Sequence, residues 1–304
     1  MKYLFLSTLF FVLLSHETNA QTAKLSAEEF VAPSEFAINL EVKLVELSNG
    51  IKLEYAEQGD PSGLPVIFLH GISDSWRSFE LNLPLLPHSI HAFAISQRGH
   101  GNSDKPQLGY RPKDFADDIA AFMDKMNLKK AIIVGHSMGS TNARQFVLSY
   151  PKRTMGLVII GSFASYNNNA AITEFEGVLA SMKAPIDINF IDEFQKSTIY
   201  RPIPNAYYET IVKESQKLPV HVWQGVALGW KKGDLAERLS HLRTPTLIIW
   251  GDKDSFAPSA DQFLLNSILR NSKLSIYRET GHAVHWEEPQ RFVDDLVEFI
   301  NNIK

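Results

Sequence analysis

Three short stretches carry residue types that together could break an acyl bond. "VGHSMGS" (Val134–Ser140) sets Ser137 between Gly135 and Gly139, directly after the apolar residues Ala131–Ile133. "WGDKDSFAP" (Trp250–Pro258) ends another apolar run and holds Asp252 and Asp254. "GHAVHWEEP" (Gly281–Pro289) holds His282 and His285. A serine hydroxyl is a weak nucleophile near neutral pH. It needs a base to take its proton, and the base needs a carboxylate to orient it. These residues occur in the chain order Ser, Asp, His. The five-residue Gly-x-Ser-x-Gly pattern by itself also fits any tight turn of small residues. The surrounding elements decide between the two readings.

Those elements are regular. Val66–His70, His91–Ser96, Ala131–His136, Gly156–Ser162 and Thr246–Gly251 are continuous apolar runs. Such runs fit strands covered on both faces of a parallel sheet. Helical periodicity lies between or after them, at Asp114–Met126, Met138–Ser149, Asp261–Leu269 and Pro289–Ile300. Alternation of this kind predicts right-handed crossovers and a three-layer α/β sandwich with a mostly parallel sheet. Val42–Leu47 and Ile51–Glu57 alternate apolar and polar residues about Ser48-Asn49-Gly50, which predicts an edge hairpin of two half-exposed strands. Ser137 therefore stands between a buried strand and a helix. There its hydroxyl is exposed at the carboxyl end of the sheet, where open α/β sheets bind ligands.

One region breaks the alternation. Residues 165–242 contain no strand pattern, but carry Phe190, Phe194, Tyr200, Tyr207, Tyr208, Trp223 and Trp230. They read as a helical cap packed over one end of the sheet. The resulting division is a leader at 1–20, a core at 21–164 and 243–304, and a cap at 165–242. The leader reads as a secretory signal peptide: Lys2, the apolar Tyr3–Leu14, and cleavage after Ala20. The expectation is a periplasmic or secreted protein with no stable membrane span after cleavage. The chain has no cysteine, which fits export without requiring it. A net charge of -4 and the lack of a basic run give no electrostatic basis for binding nucleic acid or an anionic membrane. No metal-ligand cluster and no dinucleotide fingerprint is evident, so no cofactor and no metal are expected.

The motifs together resemble the α/β-hydrolase superfamily over nearly the whole chain beyond the leader. They are His70-Gly71, "RGHGNSDKP" (Arg98–Pro106), "GHSMGS", "WGDKDSFAP" and "GHAVHWEEP". The resemblance implies a triad of Ser137 as nucleophile, His282 as base and Asp254, at the end of Gly-x-x-Asp, as the orienting acid. It implies an oxyanion hole from the backbone N–H groups of Ile72 and Met138. His285 and His136 then serve packing or polar support. Relatives often carry an aspartate two residues before the arginine of "RGHG". Here that residue is Ser96, followed by Gln97, so the neighbouring loop needs other support. Trp76 reads either as an aromatic near the pocket mouth or as a packing residue. The implied activity is acyl transfer on a small, largely apolar substrate, foremost an ester or lactone. Carbon–carbon bond hydrolysis, small-peptide hydrolysis and perhydrolysis run on the same triad. A non-catalytic binding protein on this fold is the reading from another class.

Overall fold

A computed structural model of the chain describes residues 40–166, 169–230 and 236–303. The expected signal peptide at 1–20 lies outside the described residues. Eight strands form one sheet: β1 (Glu41–Glu46), β2 (Lys52–Gln58), β3 (Leu64–Leu69), β4 (Ile90–Ser96), β5 (Ala131–His136), β6 (Thr154–Ile160), β7 (Thr246–Gly251) and β8 (Ser272–Tyr277). Their order is β1-β2-β4-β3-β5-β6-β7-β8. Strand β2 pairs antiparallel with β1 and β4, and every other pairing is parallel.

Side-chain alternation makes the three layers. Ile67, Leu69, Ile133 and Ile159 point to one face, where they meet α1 (Pro112–Lys125), α2 (Met138–Ser149) and Leu265. Val66, Phe68, Val134 and Ile160 point to the other face and pack against Phe79, Phe292 and Leu296. Each run is apolar throughout because both faces are covered, the arrangement expected from the sequence. Burial of one such side chain stabilises the fold by roughly 1.5–3 kcal/mol.

One expectation is corrected, and one open alternative is decided in favour of packing. Strand β1 is an exposed edge, but β2 is not half-exposed: Leu53, Glu54, Tyr55 and Ala56 are all buried. It lies between β1 and β4, and both its faces are covered: Leu53 and Tyr55 pack in the layer with Phe122, and Ala56 in the layer with Phe79. Trp76 is not at a pocket mouth. It is 4% exposed and packs in the apolar layer that holds Phe68 and Phe79.

Between β6 and β7 lie α3 (Ala170–Ser181), α4 (Ile188–Ser197), α5 (Asn205–Gln216), α6 (Val220–Trp230) and α7 (Ala236–Leu239). Apolar side chains of α3 and α6, among them Ile172, Leu179, Val222 and Trp223, share one cluster with Ile72, Met138 and Trp250. The cluster joins these helices to the carboxyl ends of the strands. Helices α8 (Ser259–Ile268), α9 (Val284–Glu287) and α10 (Pro289–Asn302) complete the chain's order.

The missing acid at position 96 has a replacement. Glu54 lies opposite Ser96 in the β2–β4 register. Its Oε2 accepts from Ser96 Oγ at 2.9 Å and from the Asn102 N–H at 3.1 Å, while Asn102 Nδ2 donates to Oε1. Glu54 is 5% exposed, so its charge is compensated by donors rather than by water. The carboxylate that braces this loop comes from the adjacent strand. Glu54→Ala should cost about 2–4 kcal/mol in urea unfolding, since it strands buried donors. A loss below about 0.5 kcal/mol, the range of ordinary surface substitutions, would show that the loop stands without it.

Candidate active site

Strand β5 delivers Ser137 and α2 begins immediately after it. Ser137 has φ 52° and ψ -116°, a backbone conformation that L residues rarely adopt. Two glycines make the turn possible. A Cβ on Gly135 would lie 2.3 Å from the Gly139 carbonyl oxygen, and one on Gly139 would lie 2.2 Å from the Leu69 carbonyl oxygen. A side chain at Gly139 would push the turn off β3, and one at Gly135 would collide with the first turn of α2. The Ser137 N–H donates to the Ile160 carbonyl at 2.9 Å, which ties the strained residue to β6.

The exit of β7 supplies Asp254 and the loop after β8 supplies His282. Nδ1 of His282 lies 2.8 Å from Asp254 Oδ2, and both side chains are buried, at 4% and 0% exposure. A carboxylate only accepts, so the ring donates through Nδ1 and keeps the Nε2 lone pair free as a proton acceptor. The other oxygen, Asp254 Oδ1, accepts from the N–H groups of Phe256 and Ala257 at 2.8 and 2.9 Å. Asp252 points elsewhere. It accepts from the Glu279 N–H at 2.7 Å and meets Arg278 at 3.3 Å.

Ser137 and His282 line one cavity, with no hydrogen bond between them among those of the described residues. Such contacts are often long before substrate arrives. Ile72 lines the same cavity, and Met138 follows Ser137 as the first residue of α2. Neither N–H donates to a protein acceptor among the described residues. Both are thus free to bind a developing oxyanion, and the α2 amino end adds its partial positive charge.

Other polar groups hold this arrangement. His70 Nε2 accepts from the Gln97 N–H at 2.9 Å, so Nδ1 carries the proton and donates to the Gly71 carbonyl at 2.6 Å. Gln97 donates to the His70 carbonyl and accepts from Asn142 on α2. The residue after Ser96 therefore couples the Ile72 loop to the Ser137 helix. His136 meets the His282 carbonyl at 3.2 Å. His285 pairs with Ser78 at 3.0 Å and stacks on Phe79.

Sequence reasoning missed Asp74 and Gln195. Asp74 is 2% exposed, and its Oδ1 accepts from Gln195 Nε2 of α4 at 3.1 Å. Both line the cavity, whose remaining wall is largely aromatic, with Phe163, Phe175, Phe194, Trp230 and Phe256. Asp74 sits two residues beyond Ile72 in "HGISDSW", a visible signal. Gln195 had none, since it reaches the site only through cap packing.

Comparison with known proteins agrees with the fold. A family model described as alpha/beta hydrolase fold matches residues 65–289. The chain is 26% identical to a non-heme chloroperoxidase from Streptomyces lividans over 284 residues, covering 85% of this chain and 99% of that protein. It is also 26% identical over 286 residues to a 2-hydroxy-6-oxononadienedioate/2-hydroxy-6-oxononatrienedioate hydrolase from Burkholderia vietnamiensis, covering 89% and 98%. Among solved structures, an esterase from Exiguobacterium antarcticum superposes with a TM-score of 0.79 at 22% identity, covering 86% of this chain and all (100%) of that one.

The site predicts an unusual stability profile. Burial pushes the Asp74 carboxyl up to about 7, against the opposing effects of the Gln195 amide and nearby His282. The unfolded chain releases this proton near pH 4. Between those values the native state holds the extra proton, so this group's contribution to stability falls as pH rises from about 4 to about 7. Buried histidines act oppositely. Burial holds His70 and His136 well below the imidazole range, His100 at about 4 and His285 at about 3. The unfolded chain then takes up protons below about pH 6.5, and stability is lost as pH falls through that range. Asp74→Asn keeps an acceptor for Gln195 and removes only the first effect. The variant should gain about 2–4 kcal/mol relative to wild type between pH 4.5 and pH 8 in chemical denaturation. A pH-independent difference would contradict the assignment.

Proposed function

The chain belongs to the alpha/beta hydrolase fold family, and on that premise we propose an exported serine hydrolase that cleaves a carboxylic ester or lactone through an acyl-enzyme. The observation that carries the reading is the pairing of a strained, cavity-lining Ser137 with a His282–Asp254 hydrogen bond at the same cavity. Ser137 Oγ attacks the carbonyl carbon as His282 Nε2 takes its proton. Asp254 holds the ring and stabilises its charged form. The Ile72 and Met138 amides bind the oxyanion. His282 then protonates the leaving oxygen, and water repeats the cycle to release the acid.

The cavity wall supports a neutral, largely apolar substrate. The relative from Burkholderia is named for a dioate, a doubly charged acid. No lysine or arginine is among the residues lining this cavity, and Asp74 adds a carboxyl that would repel such a substrate. That weighs against carbon–carbon hydrolysis of a dioate and for an ester. Perhydrolysis, suggested by the chloroperoxidase relative, would proceed from the same acyl-enzyme with hydrogen peroxide replacing water. Export rests on the leader read at residues 1–20. No described helix is long and apolar enough to cross a membrane.

Activated esters of graded acyl size test the proposal. Ser137→Ala should lower kcat by a factor on the order of 10⁴–10⁶ with far-UV dichroism unchanged. Retained activity would remove Ser137 from the nucleophile role. Asp254→Asn should cost on the order of 10⁴ in kcat, whereas Asp252→Asn should cost less than about tenfold. The reverse pattern would exchange the two carboxylates.

A further inference from the structure

Asp74 and Gln195 form a polar spot that the triad and the oxyanion hole do not use. We infer that this pair reads a hydroxyl group on the acyl part of the substrate, close to the reacting carbonyl, and so selects hydroxy-acyl esters. The inference rests on the ester-hydrolase reading of the same cavity.

Three observations carry it. First, the Gln195 amide turns its NH₂ group toward Asp74 and its oxygen away. Its Nε2 donates among Asp74 Oδ1 at 3.1 Å, Ser73 Oγ at 3.1 Å and Ser215 Oγ at 2.8 Å. An ionised carboxyl oxygen accepts only, and the two hydroxyls can accept, so the NH₂ group fits at this end. Oε1 must therefore face the other way, and it is buried with no partner although Gln195 is only 1% exposed. An unpaired buried acceptor is costly, and a bound donor would relieve that cost. Second, Asp74 stands in a largely aromatic wall with no lysine or arginine among the cavity-lining residues, its carboxyl accepting from Gln195 and from Ser78 at 3.4 Å. A carboxyl in that setting costs stability unless something uses it. Third, the residue between Ile72 and Asp74 is Ser73, a non-glycine at φ 71°. Backbone strain of this kind persists where surrounding contacts hold a site in shape. Here Ser73 Oγ is held by Gln195 and Ser215, from two helices of the cap.

A hydroxyl matches this spot better than a cation does. It can donate to Gln195 Oε1, and it can either donate to an ionised Asp74 or accept from a protonated one. Burial places that carboxyl at about 7, so both forms occur near neutral pH. An ammonium would need Asp74 ionised throughout. The position follows from the chain: Asp74 is two residues from Ile72, whose N–H faces the carbonyl oxygen. The group read is thus within a few bonds of that carbonyl.

The test compares 4-nitrophenyl esters of butanoate, 3-hydroxybutanoate and 3-aminobutanoate. Wild type should show a kcat/KM for the hydroxy ester at least tenfold above that for butanoate. Gln195→Met keeps the volume and removes the acceptor, and its ratio should fall toward one. The ratio is taken within one protein, so partial loss of folding cancels. A wild-type ratio of one or less, or an unchanged ratio in Gln195→Met, overturns the inference. Preference for the amino ester overturns it in favour of a cation site. Binding to Ser137→Ala, followed by tryptophan fluorescence with methyl 3-hydroxybutanoate and methyl butanoate, separates this idea from the ester reading. If wild type turns over none of the three esters, the ester reading fails. At least tenfold tighter binding of the hydroxy ester then still supports the polar spot, and equal binding overturns it.

Discussion

The structure hangs on one close approach. The turn carrying Ser137 runs so near β3 that a single methyl group at Gly139 would overlap the Leu69 carbonyl. Close approach lets the α2 amino end, the Ser137 hydroxyl and the Ile72 amide share one small space. It also demands the strain recorded in the Ser137 φ of 52°. Strain of this size costs on the order of 1–3 kcal/mol, so the neighbourhood must hold it. It does so through the parallel ladder on both sides of β5 and through the Ser137 N–H bond to β6. The sheet thus holds a conformation the peptide alone would not keep.

From that point the topology does the rest. Parallel strands all end on the same edge, so loops distant in sequence meet there. Asp254 follows β7 and His282 follows β8, neighbouring parallel strands. Their 2.8 Å contact follows from strand order more than from local sequence. Asp252 is only two residues away, but its oxygens turn back to Arg278 and Glu279. Of the two, only Asp254 reaches the imidazole.

These features also explain what could be read in advance. The buried strands were legible because a strand covered on both faces must be apolar throughout, as Ala131–Val134 is. Ser137 and Asp254 were legible because each follows such a strand, and His282 from its own Gly-His motif, since β8 before it is a partly exposed edge strand. Strand β2 was misread because its alternation suggested an exposed face, and that face is covered by the layer holding Phe79 and by the loop of Asn102. Glu54 was illegible for the same reason: nothing local says that residue 54 stands opposite residue 96. Gln195 is the extreme case. Its role depends on how α4 and α5 settle over the Ile72 loop, and a glutamine on a helix otherwise reads as surface.

Charge at the site follows an economy that the fold enforces. Burial keeps His70, His100, His136 and His285 neutral, so they act as dipolar packing and not as competing bases. His282 alone among these clustered rings is bonded to a carboxylate and also lines the cavity. A second buried carboxyl, Asp74, lies near enough for His282 to affect its titration. A positive charge on His282 would therefore be felt by two carboxyls, Asp254 bonded directly and Asp74 near it. Asp254 is held by two backbone N–H groups, and Asp74 by the amide of a cap helix. A shift of α4 that moved Gln195 would alter the charge balance around the imidazole without moving the ring itself. The cap thereby couples what the cavity accepts to the electrostatics of the imidazole beneath it.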